Sequence, residues 1–294
     1  MKRKNLETTL FWFRSDLRLN DSHALYRASF TDNPVVGLFI FSPQDYKNHD
    51  MAAVKLEFLM NNLRILKEEC TGLNIPLIIL KEENAGNVAN RVKDFALEIS
   101  ATAAFWNIEY EVNEGKRDEK VKDLLIQHGI KVHACHDQCV MDPGSVVSKE
   151  GKSYSVFSPF KKAWIIAVQK DASKLDLYPA PRKQAAEDIE ESIWIRNQEP
   201  VPKNVEELGF KTKKLRSPIN KDWPAGEEEA LKRLEEFIKS KASDYSAGRD
   251  IPATDGTSRL SPYLAVGVLS VRKCLLEARK ANNLKLDSGN PGLV

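Results

Sequence analysis

Four short stretches bring together residue types that could do chemistry. In the first, Thr257-Ser258-Arg259-Leu260-Ser261 follows Gly256 and precedes Pro262. Its hydroxyls, its guanidinium fork and a predicted helix N-terminus, with Ser261 as N-cap and Pro262 at N1, suit a pyrophosphate. An ordinary capped helix with a surface arginine uses the same residues, so residue types alone leave both readings open.

In the second, Asn107, Glu109, Glu111, Asn113 and Glu114 gather amides and carboxylates beside Trp106 and Tyr110. A carboxylate acceptor with an amide can hold the ring N–H groups of a flat heteroaromatic ligand. The plainer reading is that acids at a helix start favour its dipole, and that Glu114 does only this. The third stretch, "RSDLRLND", places Arg14, Asp16, Arg18 and Asp21 together. There Asp21 or Ser22 is expected to cap the following helix, with the arginines paired to acids.

The fourth, "HACHDQC", offers His133, Cys135, His136 and Cys139 as soft metal ligands. Their spacing matches no closed zinc module. "KVHAC" reads instead as a buried strand, with His133 and Cys135 on one face and Ala134 and His136 on the other. Core cysteines and a solvent-facing histidine are the expectation, and neither a metal nor a catalytic residue is assigned.

The elements that must position these groups are legible as a rhythm. Apolar runs "TTLFWF", "PVVGLFIF", "PLIIL", "TAAFW" and "KVHAC" are separated by stretches long enough for crossover helices. That alternation predicts βαβ units and a parallel sheet of about five strands. Leu56, Leu59, Leu63 and Leu66 recur at helical spacing, with Arg64, Lys67 and Glu68 left for solvent; Val88, Val92, Phe95 and Ile99 do the same. The first two loops named above for Arg14 and Glu109 then fall at carboxyl ends of strands, where sheets of this class bind ligands. No G-x-G-x-x-G and no Walker A sequence is present, so those phosphate loops are not the means.

Between Pro143 and Pro224 the pattern loosens, with one predicted helix at "FSPFKKAWIIAVQ" and a polar, proline-punctuated remainder that reads as a long connector. Helical character returns at "WPAGEEEALKRLEEFIKS", with Ala230, Leu234, Phe237 and Ile238 on one face.

Composition bounds the partners. The 294 residues carry 44 basic and 42 acidic side chains, a net charge of +2, so any nucleic-acid contact must come from a local basic face. Four scattered cysteines make no disulfide scaffold and point to a reducing, intracellular setting. No apolar run is long enough for a membrane span. "MKRKNLETTL" has basic residues without an apolar core after them, which argues against secretion and leaves room for a short organelle signal.

Taken together and in order, three stretches resemble the photolyase/cryptochrome family. "FWFRSDLRLNDSHAL" is similar to its first strand and loop, "NIEYEVNEGKRD" to its antenna loop and "DYSAGRDIPATDGTSRLSPYLAVGVLS" to the start of its flavin domain, with "YSVFSPFKKAW" between them. The wording most resembles class I cyclobutane pyrimidine dimer photolyases. The resemblance implies light-driven repair of these dimers by electron transfer from photoexcited reduced FAD, with UV-damaged DNA as partner, no membrane, and a monomer unless the helical part associates. It places FAD on Tyr245, Thr257, Ser258, Arg259, Leu260 and Ser261. It places a 5,10-methenyltetrahydrofolate antenna on Asn113 and Glu114, "EYEVNE" favouring folate over a deazaflavin, and sets Arg249 near the DNA-binding face. The nucleus or mitochondrion of a eukaryote, or the bacterial cytoplasm, is the implied location.

The fold expected is α/β: a Rossmann-like parallel sheet domain of about five strands over 1–140, a connector with one helix over 141–225, and the incomplete start of an all-α FAD-binding domain over 226–294. Where the family continues past a segment like "DSGNPGLV" with a tryptophan- and arginine-rich helix, this sequence stops. The expectation is therefore a truncated chain lacking most of the flavin and dimer site, inactive by itself. A cryptochrome-like blue-light photoreceptor fragment and a stand-alone α/β folate-binding or interaction protein are the alternatives.

Overall fold

Five apolar runs become strands: β1 (Thr8–Phe13), β2 (Val35–Phe41), β3 (Leu77–Lys81), β4 (Ala101–Asn107) and β5 (Lys131–Cys135). All pairings are parallel, as the βα rhythm predicts, and the strands lie in the order β3-β2-β1-β4-β5. β1 and β2 are buried at every residue. Strands covered on both faces need such unbroken aromatic and β-branched runs, because no position looks at water. The structure, a computed structural model, describes residues 6–211 and 219–290. The basic start at 1–5 and the end at 291–294, on which the leader reading and part of "DSGNPGLV" rest, lie outside the described residues.

The first helices in chain order are α1 (His23–Ala28), α2 (Pro43–Asn48), α3 (Ala53–Gly72), α4 (Val88–Glu98) and α5 (Val112–Gln127). Val88, Val92, Phe95 and Ile99 all face the core, as their spacing predicts, and pack with Val121 and Leu125 of α5 on Leu10, Trp12, Leu38 and Trp106. Each large side chain buried there contributes roughly 1.5–3 kcal/mol, an upper figure for an extended unfolded chain. An aspartate at Val92 would put an unpaired charge at the centre of this face.

Two expectations need correction. β5 is an edge strand on which only Cys135 is fully buried, so its faces lack the two-sided cover that buries β1 and β2. On α3, Lys67 does not reach solvent freely: its Nζ donates to the Leu77 carbonyl at 2.5 Å and to Asn197 Oδ1 at 3.1 Å, and burial pulls its pKa down to about 8. Arg64 likewise donates to the Lys203 carbonyl at 3.1 Å.

Asn197 and Lys203, which meet α3 here, belong to a long return segment. The chain divides into two compact units, Met1–Asp137 with Pro179–Gly226 and Gln138–Tyr178 with Glu227–Val294. In the first unit, α7 (Glu191–Asn197) and the short α8 (Ile219–Asp222) follow polar sequence that carries few apolar residues, yet Ile189 and Ile193 join the core face. Asn197 Oδ1 accepts the Leu77 N–H at 2.8 Å, and Gln184 both accepts from the Val35 N–H at 2.9 Å and donates to the Val35 carbonyl at 2.8 Å. Two amide side chains thus close the backbone groups at the amino ends of β3 and β2.

The second unit holds α6 (Phe157–Lys170), α9 (Glu227–Ser240), α10 (Tyr245–Gly248), α11 (Ser261–Ala265) and α12 (Val271–Ala281). A small cluster of Ile165, Val168, Leu175 and Leu286 forms part of its interior. Acids Glu227, Glu228 and Glu229 in the first turn of α9 suit the helix dipole. Ser270 Oγ accepts the Lys273 N–H at 3.2 Å and caps α12.

Candidate functional site

In the order β3-β2-β1-β4-β5, the connections from β1 run one way across the sheet and that from β4 runs the other, so the switch point lies between β1 and β4. Their carboxyl ends open into the Arg14 loop and the Glu109 loop, the crevice where sheets of this class take ligands.

The floor of that crevice is a buried charge network. The Arg14 guanidinium donates to both carboxylate oxygens of Asp118, at 2.9 and 3.0 Å, and also to the Asn107 carbonyl. Arg117 donates to Glu109 Oε2 at 2.6 Å and to Asp118 Oδ1 at 2.8 Å. Both guanidiniums lie over the Trp12 ring, at 4.4 and 4.8 Å from its centroid. Ser15 Oγ donates to Glu109 Oε1 at 2.6 Å, so each Glu109 oxygen has a donor. Burial pushes the Glu109 carboxyl up, but the Arg14 and Arg117 charges and the Ser15 and Arg117 hydrogen bonds overcome it and hold the pKa at about 2. Glu109 is therefore a fixed anion.

Asn107 joins the two loops. Its Nδ2 donates to Asp16 Oδ2 at 2.8 Å and Ser22 Oγ at 3.0 Å, while its Oδ1 accepts the Ala24 N–H at 3.0 Å. Asp16 Oδ1 accepts the Arg14 N–H at 2.7 Å, and burial raises the Asp16 carboxyl above the usual range against those neighbours. The expected cap of α1 is corrected here. Ser22 holds the N-cap position without a side-chain cap bond, and Asp21 has φ 52°. The first N–H groups of α1 go instead to distant side chains, His23 N–H to Asp137 Oδ1 at 3.1 Å and Ala24 N–H to Asn107. The arginines do pair with acids, but Arg14 with Asp118 and Arg18 with Asp137, about a hundred residues away in sequence.

Above this floor is a cavity of about 220 Å³. Its walls are Trp12, Phe39, Tyr46, Met51, Leu59 and Val88, with polar groups from Ser42, Asp45, Glu109, Glu114 and Arg117. Two of its lining residues, Arg14 and Ser42, have a side-chain atom that is fully buried and without a partner among the described residues, Nε and Oγ respectively. Orphaned buried donors are rare in finished cores and mark places where something else completes the bonding. The volume accepts a flat bicyclic ring and is below the size that encloses a whole drug-sized ligand.

The predicted site residues fall in two places. Glu114, in the first turn of α5, lines the cavity, whereas Asn113 beside it is exposed and outside the lining. In the second unit, Tyr245 begins α10 and meets Phe237 edge to face at 5.8 Å, and the exposed Arg249 lies over the Tyr245 ring at 5.8 Å. Gly256 crosses Gly248 so closely that a Cβ on it would sit 2.8 Å from the Gly248 carbonyl carbon. Arg259 adopts φ 51° and pairs with Asp255 at 3.0 Å, while Thr257 and Ser261 are exposed and Leu260 is buried. Ser261 is not the N-cap: Leu260 already has helical φ and ψ after the Arg259 reversal, so α11 starts at Ser261, without a side-chain cap.

His133 stacks on Phe105 at 4.5 Å, Arg27 donates to Cys135 Sγ at 3.6 Å, His136 lies against Tyr110, and Cys139 is exposed. These four residues are not gathered onto one point, and no cluster able to hold a metal occurs among the described residues. No helix is long and apolar enough to cross a membrane among those residues.

Residue types alone missed Asp118, Arg117, Ser15, Ser42 and Tyr46. Asp118 had a findable signal, since it stands four residues after Glu114 on the same helix face. Tyr46 and Ser42 had none, because only the fold brings the end of β2 over that of β1.

The sequence profile of the DNA photolyase family matches residues 9–181. A protein of Neurospora crassa described as a deoxyribodipyrimidine photo-lyase is 34% identical over 98% of this chain and 48% of its own length. Among solved structures, a class III photolyase from Agrobacterium tumefaciens superposes with a TM-score of 0.73 at 24% identity, over 96% of this chain and 55% of that one. A cryptochrome from Synechocystis sp. does so with 0.77 at 20% identity, over 98% and 58%. The chain spans about half the length of the curated relatives it matches, and at these identities the two solved structures show a shared fold.

Proposed function

The chain belongs to the DNA photolyase family, and from that premise we propose that it serves light-driven repair of cyclobutane pyrimidine dimers in DNA, its first unit holding a light-gathering chromophore. The observation that carries this reading is the switch-point cavity: aromatic walls, a fixed Glu109 anion, a Glu114 carboxylate and two buried polar atoms without partners among the described residues. Such a site suits a planar heteroaromatic with ring N–H groups and acceptor atoms. For folate, the antenna implied by the Asn113-Glu114 wording, Tyr46, Glu109 and Glu114 of the cavity lining would hold the pterin ring. FAD is assigned to Tyr245 and to Thr257–Ser261, where hydroxyls and the Arg259 fork would meet its phosphates, and Arg249 to DNA. Bound chromophores supply the light absorption and the electron; the residues named here bind, orient and exclude water.

Titrating the purified chain with methenyltetrahydrofolate and separately with FAD, followed by absorption and fluorescence, tests the reading. Saturable folate binding in the wild type that Glu114→Ala weakens about tenfold or more, the loss of one charge-assisted hydrogen bond, supports the antenna assignment. Equal binding by both proteins refutes it. Illuminated protein that leaves dimers in irradiated DNA intact yet changes a binding partner with light would favour the photoreceptor reading.

A further inference from the structure

Next to the cavity, the carboxyl edge of β4 and β5 carries an arrangement that chromophore binding does not use. Tyr110, the residue after Glu109, stacks on His136 with ring centroids 5.8 Å apart and planes 18° from parallel, and its Oη lies 3.0 Å from His136 Nδ1. Both side chains are half-buried. In the core behind the cavity wall, Trp12 and Trp106 meet edge to face at 6.0 Å. Trp106 stands four residues before Tyr110 on the same strand end, and its Nε1 is buried without a hydrogen-bond partner among the described residues.

These groups differ in how they hold a positive charge left by a lost electron. Tryptophan and tyrosine are the aromatic side chains most easily oxidised by one electron. An indole radical cation can shed its N–H proton only to an acceptor, and Trp106 has none. A phenol that loses an electron becomes a strong acid, so its oxidation is easy only where a base takes the proton in the same step. With its proton on Nε2, His136 presents the Nδ1 lone pair to the phenol.

We propose that Tyr110 and His136 form a proton-coupled redox pair on which an oxidising equivalent leaving the Trp12–Trp106 pair comes to rest. The oxidant would be a photoexcited planar heteroaromatic bound in the cavity, and the phenol would supply it one electron by way of the indoles. The Tyr110 O–H bond breaks and an N–H bond forms at His136 Nδ1 as the electron leaves to the oxidant, giving a neutral phenoxyl radical and an imidazolium; return of the electron and proton restores both. The pair drains oxidising equivalents from the apolar core to the sheet edge. The identity of the oxidant rests on the proposed function, and the chemistry of the pair does not.

The test uses the full chain without any chromophore. A ruthenium polypyridyl photosensitiser with an irreversible electron acceptor oxidises the protein after a flash, and transient absorption with electron paramagnetic resonance reads the neutral tyrosyl radical. The chain has seven tyrosines, so Tyr110→Phe, which keeps the ring and its stacking, is the deciding comparison. The expected result is a radical yield lowered several-fold in Tyr110→Phe. In His136→Asn, which cannot take up the proton, radical formation should be roughly a hundredfold slower, the low end of what a positioned base contributes. Heavy water should slow formation in the wild type and not in His136→Asn. A wild-type yield in Tyr110→Phe, or a wild-type rate in His136→Asn, overturns the proposal. Either result leaves the folate titration untouched, so the two readings fail separately.

Discussion

The side-chain oxygen of Asn107, at the end of β4, accepts the backbone N–H of Ala24, in the first turn of α1, at 3.0 Å. Through this bond a strand residue caps a helix 83 positions earlier in the chain, and the amide nitrogen of the same side chain ties Asp16 and Ser22. The two loops of the switch point are therefore one hydrogen-bonded body.

Replacing Asn107 by Leu keeps the branched shape and strands an N–H, a carboxylate oxygen and a hydroxyl together. A loss of about 1–3 kcal/mol for each buried group left unpaired is expected, with partial relaxation. Urea unfolding followed by tryptophan fluorescence measures it, and a loss below about 0.5 kcal/mol would mean that water replaces the amide.

Glu109 predicts an acid limb. Its pKa is about 2 in the folded chain against an ordinary 4.5, so between these values the unfolded chain binds the extra proton. Its stabilisation is complete above about pH 4.5 and is lost as pH falls through about 2. Glu109→Gln should unfold with a weaker pH dependence in that window and lower stability above it; parallel acid titrations of the two proteins decide.

Lys67 predicts a slope of the same sign at alkaline pH. Its pKa is lowered to about 8 from about 10.5, so the folded chain gives up this proton first. Stability should rise as pH increases from about 8 to about 10.5, because only the unfolded chain still carries the charge. Thermal melts of Lys67→Met across this range should be flat in this contribution, and an unchanged rise would assign it elsewhere.

Gly256→Ala should disturb the second unit. The added Cβ would meet Gly248 backbone atoms at 2.8 and 2.9 Å, so the crossing must open, at about 1–3 kcal/mol. The expected outcome is faster proteolysis near Gly248 and weaker FAD binding, with the folate titration of the first unit unchanged. FAD binding equal to wild type would separate the crossing from the flavin role of Thr257–Ser261.

Much of the sheet was legible because its signals are local. "TTLFWF" and "VVGLFIF" name buried parallel strands by composition, and Val88, Val92, Phe95 and Ile99 name a helix face by spacing. The candidate site was legible in part: Glu109, Glu114 and Arg14 stood out by type at strand ends. Their partners did not, because Asp118 and Asp137 look like ordinary surface acids until the fold closes loops about a hundred residues apart. "KVHAC" misled for a related reason, since its residues carry no record of how little packs on its two faces.

The positions of the strands along the chain, their parallel sense and the types of group at their carboxyl ends follow from the sequence by itself, since these depend on short local patterns and the spacing between them. Which acid meets which arginine, that Gln184 and Asn197 of a polar return segment complete the amino ends of β2 and β3, and that Arg14 Nε and Ser42 Oγ are left buried without a partner among the described residues were decided only by the tertiary structure. Burial and pairing of polar groups depend on contacts between distant residues, and charge or hydropathy along the chain carries no record of them.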